Sequence, residues 1–529
     1  MVSKTRRPDI VVIGAGFGGC LAAMVARQLG RSVLLIERGA HPRFVIGEST
    51  TPLTNFFLEE IGNQYELAFL KGLSSWGRWQ QRFPHLPCGL KRGFSFFHHQ
   101  QGECFNRGGG RARELLVAAS PGPELADTHW FRPTFDAFLL EQAVGLGVEY
   151  QDRTTVVAAE ETPSGMCLDL QSADGTRRLE ASLVIDASGP RGALYRLLGL
   201  KNKGFSEMPS TRAVYSHFRS VAPCVSRPEF CSHETPPYPI DAAAVHHLLD
   251  QGWMWVLRFN HGITSAGVVF SRENKDPELD GEALWHSVLD RYPSLGGLFA
   301  GGEPVEDFCR MDQVPFCVGE AGGKHWVLLP AAAAAIDPLF STGFPLNLLG
   351  ILRLGRLIRA AWAGESMEDL IRRYSHEVLS EAVRTSRLVG LAYRSIGRPR
   401  LFNAITYLYF AAVSYEEIYR RLGLSDVADR FLLGSHSEFG ARLDDMVDRL
   451  SGRIRALPES EIGRLEGQIL RAVQPFDVMG LGRRHRHNWY PVDLVELFAA
   501  RDKFPASADQ LIQLLSQMGV NSQVLERFR

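Results

Sequence analysis

The stretch that decides the fold is residues 10–19, which read Ile-Val-Val-Ile-Gly-Ala-Gly-Phe-Gly-Gly. Four consecutive β-branched residues predict a buried parallel strand, and the glycines after them follow the GxGxxG pattern of a dinucleotide-binding turn. A helix is expected next, because Leu21, Val25 and Leu29 recur at helical spacing. A second strand over residues 32–36 ends in Glu37. This strand–turn–helix–strand order favours a nucleotide site over a purely structural glycine turn.

Each conserved position of such a unit has a physical task. The first glycine permits the tight turn, the second lets the backbone approach a pyrophosphate at the helix N-terminus, and the third allows close packing of helix on strand. Glu37 stands eighteen residues beyond Gly19 and is placed to accept hydrogen bonds from ribose hydroxyls. We therefore predict that this unit binds its cofactor through Gly14, Ala15, Gly16, Gly18, Gly19 and Glu37.

The composition excludes several classes of protein. With 529 residues, 45% of them hydrophobic and 22% charged, the chain can bury a large core and is neither a short binding module nor a disordered segment. Its net charge of −1 provides no long-range field for nucleic acid or an anionic membrane. Eight cysteines without a Cys-x-x-Cys pair argue against a zinc site and a disulfide framework. We expect a cytoplasmic protein with no metal, nucleic-acid or membrane partner.

The pattern of strand and helix signals changes near residue 350. Residues 1–350 alternate the two signals, with strand-rich stretches at 153–179 and 262–270, which predicts an α/β nucleotide-binding domain interleaved with a β-sheet substrate domain. Residues 351–529 are mostly amphipathic helix, and Gly364 ends the first of these helices. We expect this mainly helical region to cover a substrate pocket, although an open face would suit a carrier-bound substrate better.

Several further segments carry a resemblance to one family. Residues 41–49, His-Pro-Arg-Phe-Val-Ile-Gly-Glu-Ser, resemble the PRFxIGES stretch of flavin-dependent halogenases, and residues 88–96 resemble the GxKxGFxF strand of the phenol- and pyrrole-halogenating branch. Further matches follow in the family's order at residues 130–136, 185–189, 252–255 and 336–343. The resemblance implies FAD as the cofactor of the Rossmann-like domain. It adds five cofactor-binding candidates, namely Arg43, Gly47, Ser49, Arg132 and Asp337.

The resemblance also implies a reaction. Reduced FAD and dioxygen would form a flavin C4a-hydroperoxide, and a chloride or bromide ion near the backbone of Thr342 and Gly343 would attack it. The hypohalous acid would then travel through an interior channel to a lysine, Lys91, which relays it to a phenolic or pyrrolic substrate. The substrate and channel candidates are Phe97, Trp253, Trp255 and Phe340. No second GxGxxG unit is found, so a separate flavin reductase is expected to reduce the FAD.

Lys91 also stands out by its surroundings. If residues 91–97 form one strand, period two puts Lys91, Gly93, Ser95 and Phe97 on one face. A lysine enclosed by aromatic side chains loses solvation, which lowers its pKa and allows it to bond to a hypohalous oxygen or to become a chloramine. The alternative is a lysine at a sheet edge whose ammonium reaches solvent.

Three departures from the family pattern qualify these expectations. Residues 256–258 are Val-Leu-Arg where the family has Ile-Pro, which leaves an aromatic hydroxylase or a flavin dehydrogenase open as alternatives. Residues 329–332 replace a Gly-Asp-Ala motif whose aspartate bonds the ribityl chain, so we expect weaker flavin binding. Phe340 stands where indole-directed halogenases carry a glutamate, so we expect free tryptophan to be a poor substrate.

Overall fold

The computed structural model describes residues 7–250, 252–272, 280–424, 430–518 and 520–528. Its strands are β1 Ile10–Ile13, β2 Val33–Ile36, β3 Cys88–Lys91, β4 Gly93–His98, β5 Glu114–Ala118, β6 Asp127–Trp130, β7 Glu149–Gln151, β8 Thr155–Thr162, β9 Gly165–Ser172, β10 Gly175–Ala181, β11 Leu183–Asp186, β12 Thr211–Arg219, β13 Ala244–Leu249, β14 Gly252–Arg258, β15 Thr264–Ser271, β16 Glu303–Pro304, β17 Cys309–Met311, β18 Phe316–Cys317, β19 Trp326–Leu328, β20 Ala334–Ala335 and β21 Trp489–Tyr490. Its helices are α1 Phe17–Gln28, α2 Pro52–Gln64, α3 Trp76–Arg82, α4 Arg132–Gly145, α5 Ala193–Leu197, α6 Gly281–Arg291, α7 Pro293–Phe299, α8 Pro330–Ala333, α9 Gly343–Trp362, α10 Met367–Tyr393, α11 Pro399–Arg421, α12 Phe439–Ser451, α13 Glu459–Val473, α14 Leu494–Ala499, α15 Ala508–Gln517 and α16 Ser522–Leu525.

The predicted glycine unit forms the centre of a parallel sheet. In the described part of the chain this sheet has the strand order β19-β11-β1-β2-β7, and every pairing is parallel. The turn after β1 requires its glycines, because Gly14 has a φ of +99° and a Cβ on Gly19 would lie within the contact distance of the Gly14 carbonyl. The expected Rossmann-like FAD domain is thereby confirmed.

A second, larger sheet is interleaved with the first along the chain. Its strand order is β16-β12-β15-β14-β13-β4-β5-β21, with β17 paired to β12. The strands of the parallel sheet come from before and between those of the larger sheet, so neither sheet is a contiguous piece of sequence. Three antiparallel strands, β8 to β10, occupy the strand-rich stretch at residues 153–179. The α/β class with an interleaved β-sheet is confirmed.

The C-terminal region is mainly helical, as predicted, but it is not separate from the rest. Helix α9 continues without a break through residue 350, where a boundary was expected, because its apolar face packs on α1 and α2. The helix ends before Gly364, and Ser366 caps α10 by accepting from the Asp369 N–H. Arg353 and Glu381 join α9 to α10 through two buried hydrogen bonds of 2.7 Å. Strand β21 extends the large sheet by pairing with β5.

No helix in the described ranges combines the length and the apolar character needed to cross a membrane.

Candidate active site

A cavity of about 370 Å³ lies beside the glycine turn. We call it the glycine-loop cavity; its walls include the start of α1, the loop before α2, strand β14 and the segment that leads into α9. The predicted site residues among those that line it are Gly47, Ser49, Arg132, Trp253, Trp255, Asp337, Thr342 and Gly343. Five separate stretches of sequence therefore converge on one space.

The entrance of α1 is suited to an anionic group. Its N-cap residue is Gly16, and no side chain caps the helix, so backbone N–H groups point outward from the positive end of a twelve-residue helix. A Cβ added at Gly16 would stand 3.5 Å from a guanidinium nitrogen of both Arg43 and Arg132. The Arg43 Nε and the Ser49 Oγ are buried and have no hydrogen-bond partner within the described chain. This donor set fits the pyrophosphate of FAD.

Two charged residues hold the surroundings of this turn in place. Glu37 accepts from the N–H groups of Ala15 at 2.9 Å and Gly39 at 3.1 Å, and it lies 3.4 Å from Arg43. Burial alone would raise the pKa of Glu37, but Arg43 and these N–H groups lower it below its usual value. Arg132 is clamped by both Asp136 oxygens at 2.7 and 2.8 Å and donates to the Gly47 carbonyl at 2.9 Å. The Glu37 carboxylate is therefore ionised and fixed.

The opposite wall of the glycine-loop cavity is the segment at residues 336–343. Asp337 accepts from the Leu339 N–H at 3.1 Å, while its other oxygen has no partner in the described part of the chain. Burial raises the pKa of Asp337 to about 7, although the Leu339 N–H and the nearby Trp253 indole, which does not complete a hydrogen bond, oppose that shift. Ser341 has a left-handed backbone, which turns the chain so that Thr342 and Gly343 face the cavity.

A second cavity of about 520 Å³ is bordered by β4 and α2. We call it the helical cavity, because α2, α11, α14 and α15 supply half of the residues that line it. Its lining includes Phe94, Asp127, Tyr409 and Phe410, together with Asn55. Residues of the C-terminal region thus close one side of this space, where the sequence led us to expect a covered substrate pocket.

Lys91 lies in the partition between the two cavities. It is fully buried, and its ammonium donates to the backbone carbonyl of Thr50. Ser49, before Thr50, lines the glycine-loop cavity, whereas Thr51, after it, lines the helical cavity. The Lys91 Nζ is also 3.9 Å from the centre of the Phe94 ring, which belongs to the helical cavity. Burial lowers the pKa of Lys91, and the Asp127 carboxylate opposes that shift.

Two ring stacks complete the partition. Phe94 of the helical cavity stacks on His246 of the glycine-loop cavity with ring centres 5.7 Å apart. Phe340 is fully buried and stacks on Tyr409 at 4.5 Å, and the Tyr409 hydroxyl donates to the Phe340 carbonyl at 2.8 Å. Phe340 therefore stands between the cavities and lines neither of them. Its aromatic ring occupies the position at which indole-directed halogenases carry a glutamate.

The strand geometry around Lys91 differs from the expected period-two strand. The chain is divided at Arg92: Lys91 ends β3, which pairs with β6, whereas Gly93 begins β4 in the large sheet. Lys91 consequently contacts Phe94 and not the Ser95 and Phe97 face. Phe97 packs with Phe105 and Phe230 in a separate apolar cluster on the far side of β4, so the structure does not bring it to either cavity.

The structure adds a residue that sequence reasoning missed. Asp127 begins β6 and is the direct cross-strand partner of Lys91. Its carboxyl is buried and lines the helical cavity, and Asn55 donates to it at 2.7 Å. The sequence contained one weak signal, a charged residue three positions before the Trp130 motif, but the register that brings it opposite Lys91 depends on tertiary structure.

These features define a class of protein. A glycine turn that fits FAD, with an interleaved sheet over it, is the arrangement of an FAD-dependent oxidoreductase, and the family model of that description matches residues 9–203. The family model described as tryptophan halogenase matches residues 129–399, which is more than half of the chain. The chain therefore belongs to the tryptophan halogenase family, whose members are flavin-dependent halogenases, and the predicted family and cofactor are confirmed.

Individual relatives agree with this assignment. The chain is 29% identical over 370 residues to a monodechloroaminopyrrolnitrin halogenase of Pseudomonas fluorescens, a match that covers 66% of this chain and 62% of that relative. It is 26% identical over 417 residues to a tetracycline 7-halogenase of Kitasatospora aureofaciens, covering 76% of this chain and 73% of the relative. The fold is that of the crystallised halogenase PltM in complex with phloroglucinol and FAD, with a TM-score of 0.83, 22% identity and coverage of 91% and 99%.

Proposed function

We propose that this enzyme uses reduced FAD, dioxygen and chloride or bromide to halogenate an electron-rich phenolic or pyrrolic compound. The observation that carries the proposal is the place of Lys91, a buried amine between a cavity that fits FAD and a cavity of substrate size. When bound, reduced FAD reacts with dioxygen and supplies the oxidising power that turns a halide into hypohalous acid. The chain's own residues must then guide that reagent to the substrate.

The cofactor would be held by the groups that surround the glycine turn. The α1 N-terminus, Arg43 and Ser49 provide donors for the pyrophosphate, and Glu37 provides an acceptor for the ribose. Thr342 and Gly343 lie at the opposite wall, where backbone N–H groups at the start of α9 suit a halide ion. Trp253 and Trp255 wall the space between these two groups of residues.

Lys91 would receive the oxidised halogen at the partition. A lysine whose pKa is lowered by burial carries a nucleophilic amine for part of the time, and its N–H bonds orient a hypohalous oxygen. Two stacked ring pairs and the segment at residues 49–51 lie between the two cavities beside Lys91. Because Phe340 offers no charge, we propose a substrate whose own oxygen or nitrogen stabilises the ring cation, with halogen entering ortho or para to a phenolic hydroxyl or on an activated pyrrole.

The test is incubation of the FAD-loaded enzyme with a separate flavin reductase, NADH, chloride or bromide, and a panel of phenols, pyrroles and tryptophan, followed by mass spectrometry. Products with halogen isotope patterns are expected from phenols or pyrroles, and tryptophan is expected to react poorly. A gain of one oxygen that does not depend on halide would replace the proposal with an aromatic hydroxylase. Product formation without halide or dioxygen would indicate a flavin dehydrogenase.

Two controls concern the proposed partners. NADPH without a reductase is expected to leave the flavin oxidised, and rapid bleaching would contradict the need for a separate reductase. The same substrates are tested free and as thioesters on a carrier protein, because the C-terminal helices that line the helical cavity favour a free small molecule. Turnover of the thioester alone would assign a carrier protein as the partner.

A further inference from the structure

The floor of the helical cavity contains a carboxyl group with an unused oxygen. Asp127 is 2% exposed and lines the cavity. One of its oxygens accepts from the Asn55 amide at 2.7 Å, whereas the other, Oδ2, is buried without a partner among the residues the structure describes. An unsatisfied buried carboxyl oxygen costs free energy, and folded proteins retain few such groups without a functional reason.

Asp127 is held beside the reactive lysine by sheet geometry. In the antiparallel β3–β6 pair the two residues are directly opposed, so their side chains project from the same face with Cβ atoms about 5 Å apart. Lys91 reaches past Asp127 to the Thr50 carbonyl and the Phe94 ring, and it forms no close ion pair with it in the described structure. The carboxyl is therefore left facing the cavity.

Other charged groups around Asp127 affect the carboxyl in opposite directions. Burial raises the pKa of Asp127; Lys91 on β3 and Arg421 on α11 lower it, and Glu417 on α11 raises it. The Asn55 amide on α2 bonds to the carboxyl. Burial also lowers the pKa of Lys91, the cross-strand neighbour of Asp127. A carboxyl whose pKa is raised by burial accepts a proton more readily than an exposed aspartate does.

We propose that Asp127 accepts the hydroxyl or ring N–H proton of the substrate during halogenation, so that the enzyme selects aromatic compounds with a free O–H or N–H donor. This proposal rests on the proposed function and names the substrate contact of the same site. The amide oxygen of Asn55 is also buried and unpartnered within the described residues. Two neighbouring acceptors at the cavity floor suit an aromatic ring with two donors, such as a 1,3-dihydroxybenzene.

The step balances as follows. The ring carbon attacks the halogen of hypohalous acid, the carbon–halogen bond forms and the halogen–oxygen bond breaks, while the phenol proton moves to the Asp127 carboxylate. The hydroxide that leaves takes a proton from the Lys91 ammonium and becomes water. The ring C–H proton then goes to the Lys91 amine, and Asp127 returns its proton to the phenol oxygen. The sum is one aromatic C–H and one hypohalous acid converted to one aromatic carbon–halogen bond and one water.

The experiment compares two probes that differ only in their donors, resorcinol and 1,3-dimethoxybenzene, with wild type, Asp127→Asn and the surface control Asp152→Asn. Because an amide cannot act as a general base, Asp127→Asn should lower kcat for resorcinol by about 100-fold. Turnover of the dimethyl ether, which has no proton to give, should fall by less than about tenfold, because only the attraction between the carboxylate and the ring cation is lost, and Asp152→Asn should match wild type for both probes. Equal losses for both probes would reveal a structural role, and no loss for resorcinol would also overturn the proposal.

A binding measurement keeps this inference separate from the halogenation proposal. Asp127→Asn removes the group that takes the proton of bound phenol, so a smaller fraction of bound 4-nitrophenol should be ionised in the variant than in wild type at equal pH, measured by its absorbance. Identical spectra would refute the contact. If wild type forms no halogenated product but the spectral difference is present, the proposed function fails and the Asp127 contact stands.

Discussion

The two cavities are built in different ways from the same chain. The glycine-loop cavity is lined mainly by short motifs from the α/β half, with Val378, Glu381 and Ala382 of α10 beside them, and its Arg132 is clamped to a backbone carbonyl. The helical cavity takes one wall from the α/β half and another from the chain after residue 400. Within the described residues each cavity has one unpartnered carboxyl oxygen, Asp337 Oδ2 in the first and Asp127 Oδ2 in the second. The glycine-loop cavity therefore depends more on local motifs, and the helical cavity depends more on long-range packing.

The largest expected effect comes from the residue that joins the two cavities. Lys91→Ala should lower halogenated product by more than about 100-fold, because it removes the amine that is proposed to relay the halogen. Oxygen consumption and peroxide release should continue, since these belong to the glycine-loop cavity. Lys91→Arg should fail as well, because a guanidinium keeps its charge. Lys201→Ala, at an exposed position, serves as the control, and wild-type yield from Lys91→Ala would refute the relay.

A substitution confined to the glycine-loop cavity sharpens the comparison. A Cβ at Gly343 meets no atom within 4 Å, so Gly343→Val should fold normally while its side chain enters the cavity. We expect halogenation to fall by at least about tenfold, because the methyl groups displace a halide from the α9 N-terminus. Binding of 4-nitrophenol, measured by titration, should stay unchanged, and a weakened phenol affinity would show that the cavities are not independent.

The converse substitution fills the helical cavity. Val413 on α11 lines it, and Val413→Trp should raise the KM of the aromatic substrate by about tenfold through lost space. The dissociation constant of FAD, followed by flavin fluorescence, should not change. Val157→Trp on an exposed edge is the matched control. A comparable loss of FAD affinity would contradict the separation of the two sites.

The smallest expected effect is a pH-dependent gain in stability at the glycine-loop cavity. Burial raises the pKa of Asp337 from 3.8 to about 7. The folded protein therefore loses stability as the pH rises from the unfolded pKa to the folded pKa, and this group costs no stability below the unfolded pKa. In FAD-free protein, Asp337→Asn should therefore raise the free energy of unfolding relative to wild type more at about pH 8 than at about pH 5. The difference should be on the order of 1 to 3 kcal/mol, and it would be seen as a larger gain in Tm at the higher pH. Comparing the two pH values cancels any pH-independent cost of the amide. Asp152→Asn, half exposed, should show no such trend.

Sequence reasoning reached the glycine-loop cavity because its motifs are contiguous. The strand and turn at residues 10–19 and the cap at Ser366 follow from local chemistry that the structure reproduces. The break at Arg92 does not, since it depends on two different partners for β3 and β4, and it moves Lys91 to the Phe94 side. Asp127 and Tyr409 could not be predicted for the same reason: the role of Asp127 arises from the β3–β6 register, and that of Tyr409 from the packing of α11 on Phe340, 69 residues earlier in the chain.

The short strand β21 has a consequence for anyone who would produce the α/β half alone. Trp489 and Tyr490 pair with β5 at the end of the large sheet, and without them the N–H and C=O groups of β5 would lie open along a buried, apolar edge. Such an edge is a template for pairing with another chain. A fragment cut near residue 350 would also sever α9 in mid-helix. We expect such a fragment to aggregate into inclusion bodies during expression. The α/β half should therefore be produced together with the helical region that carries β21.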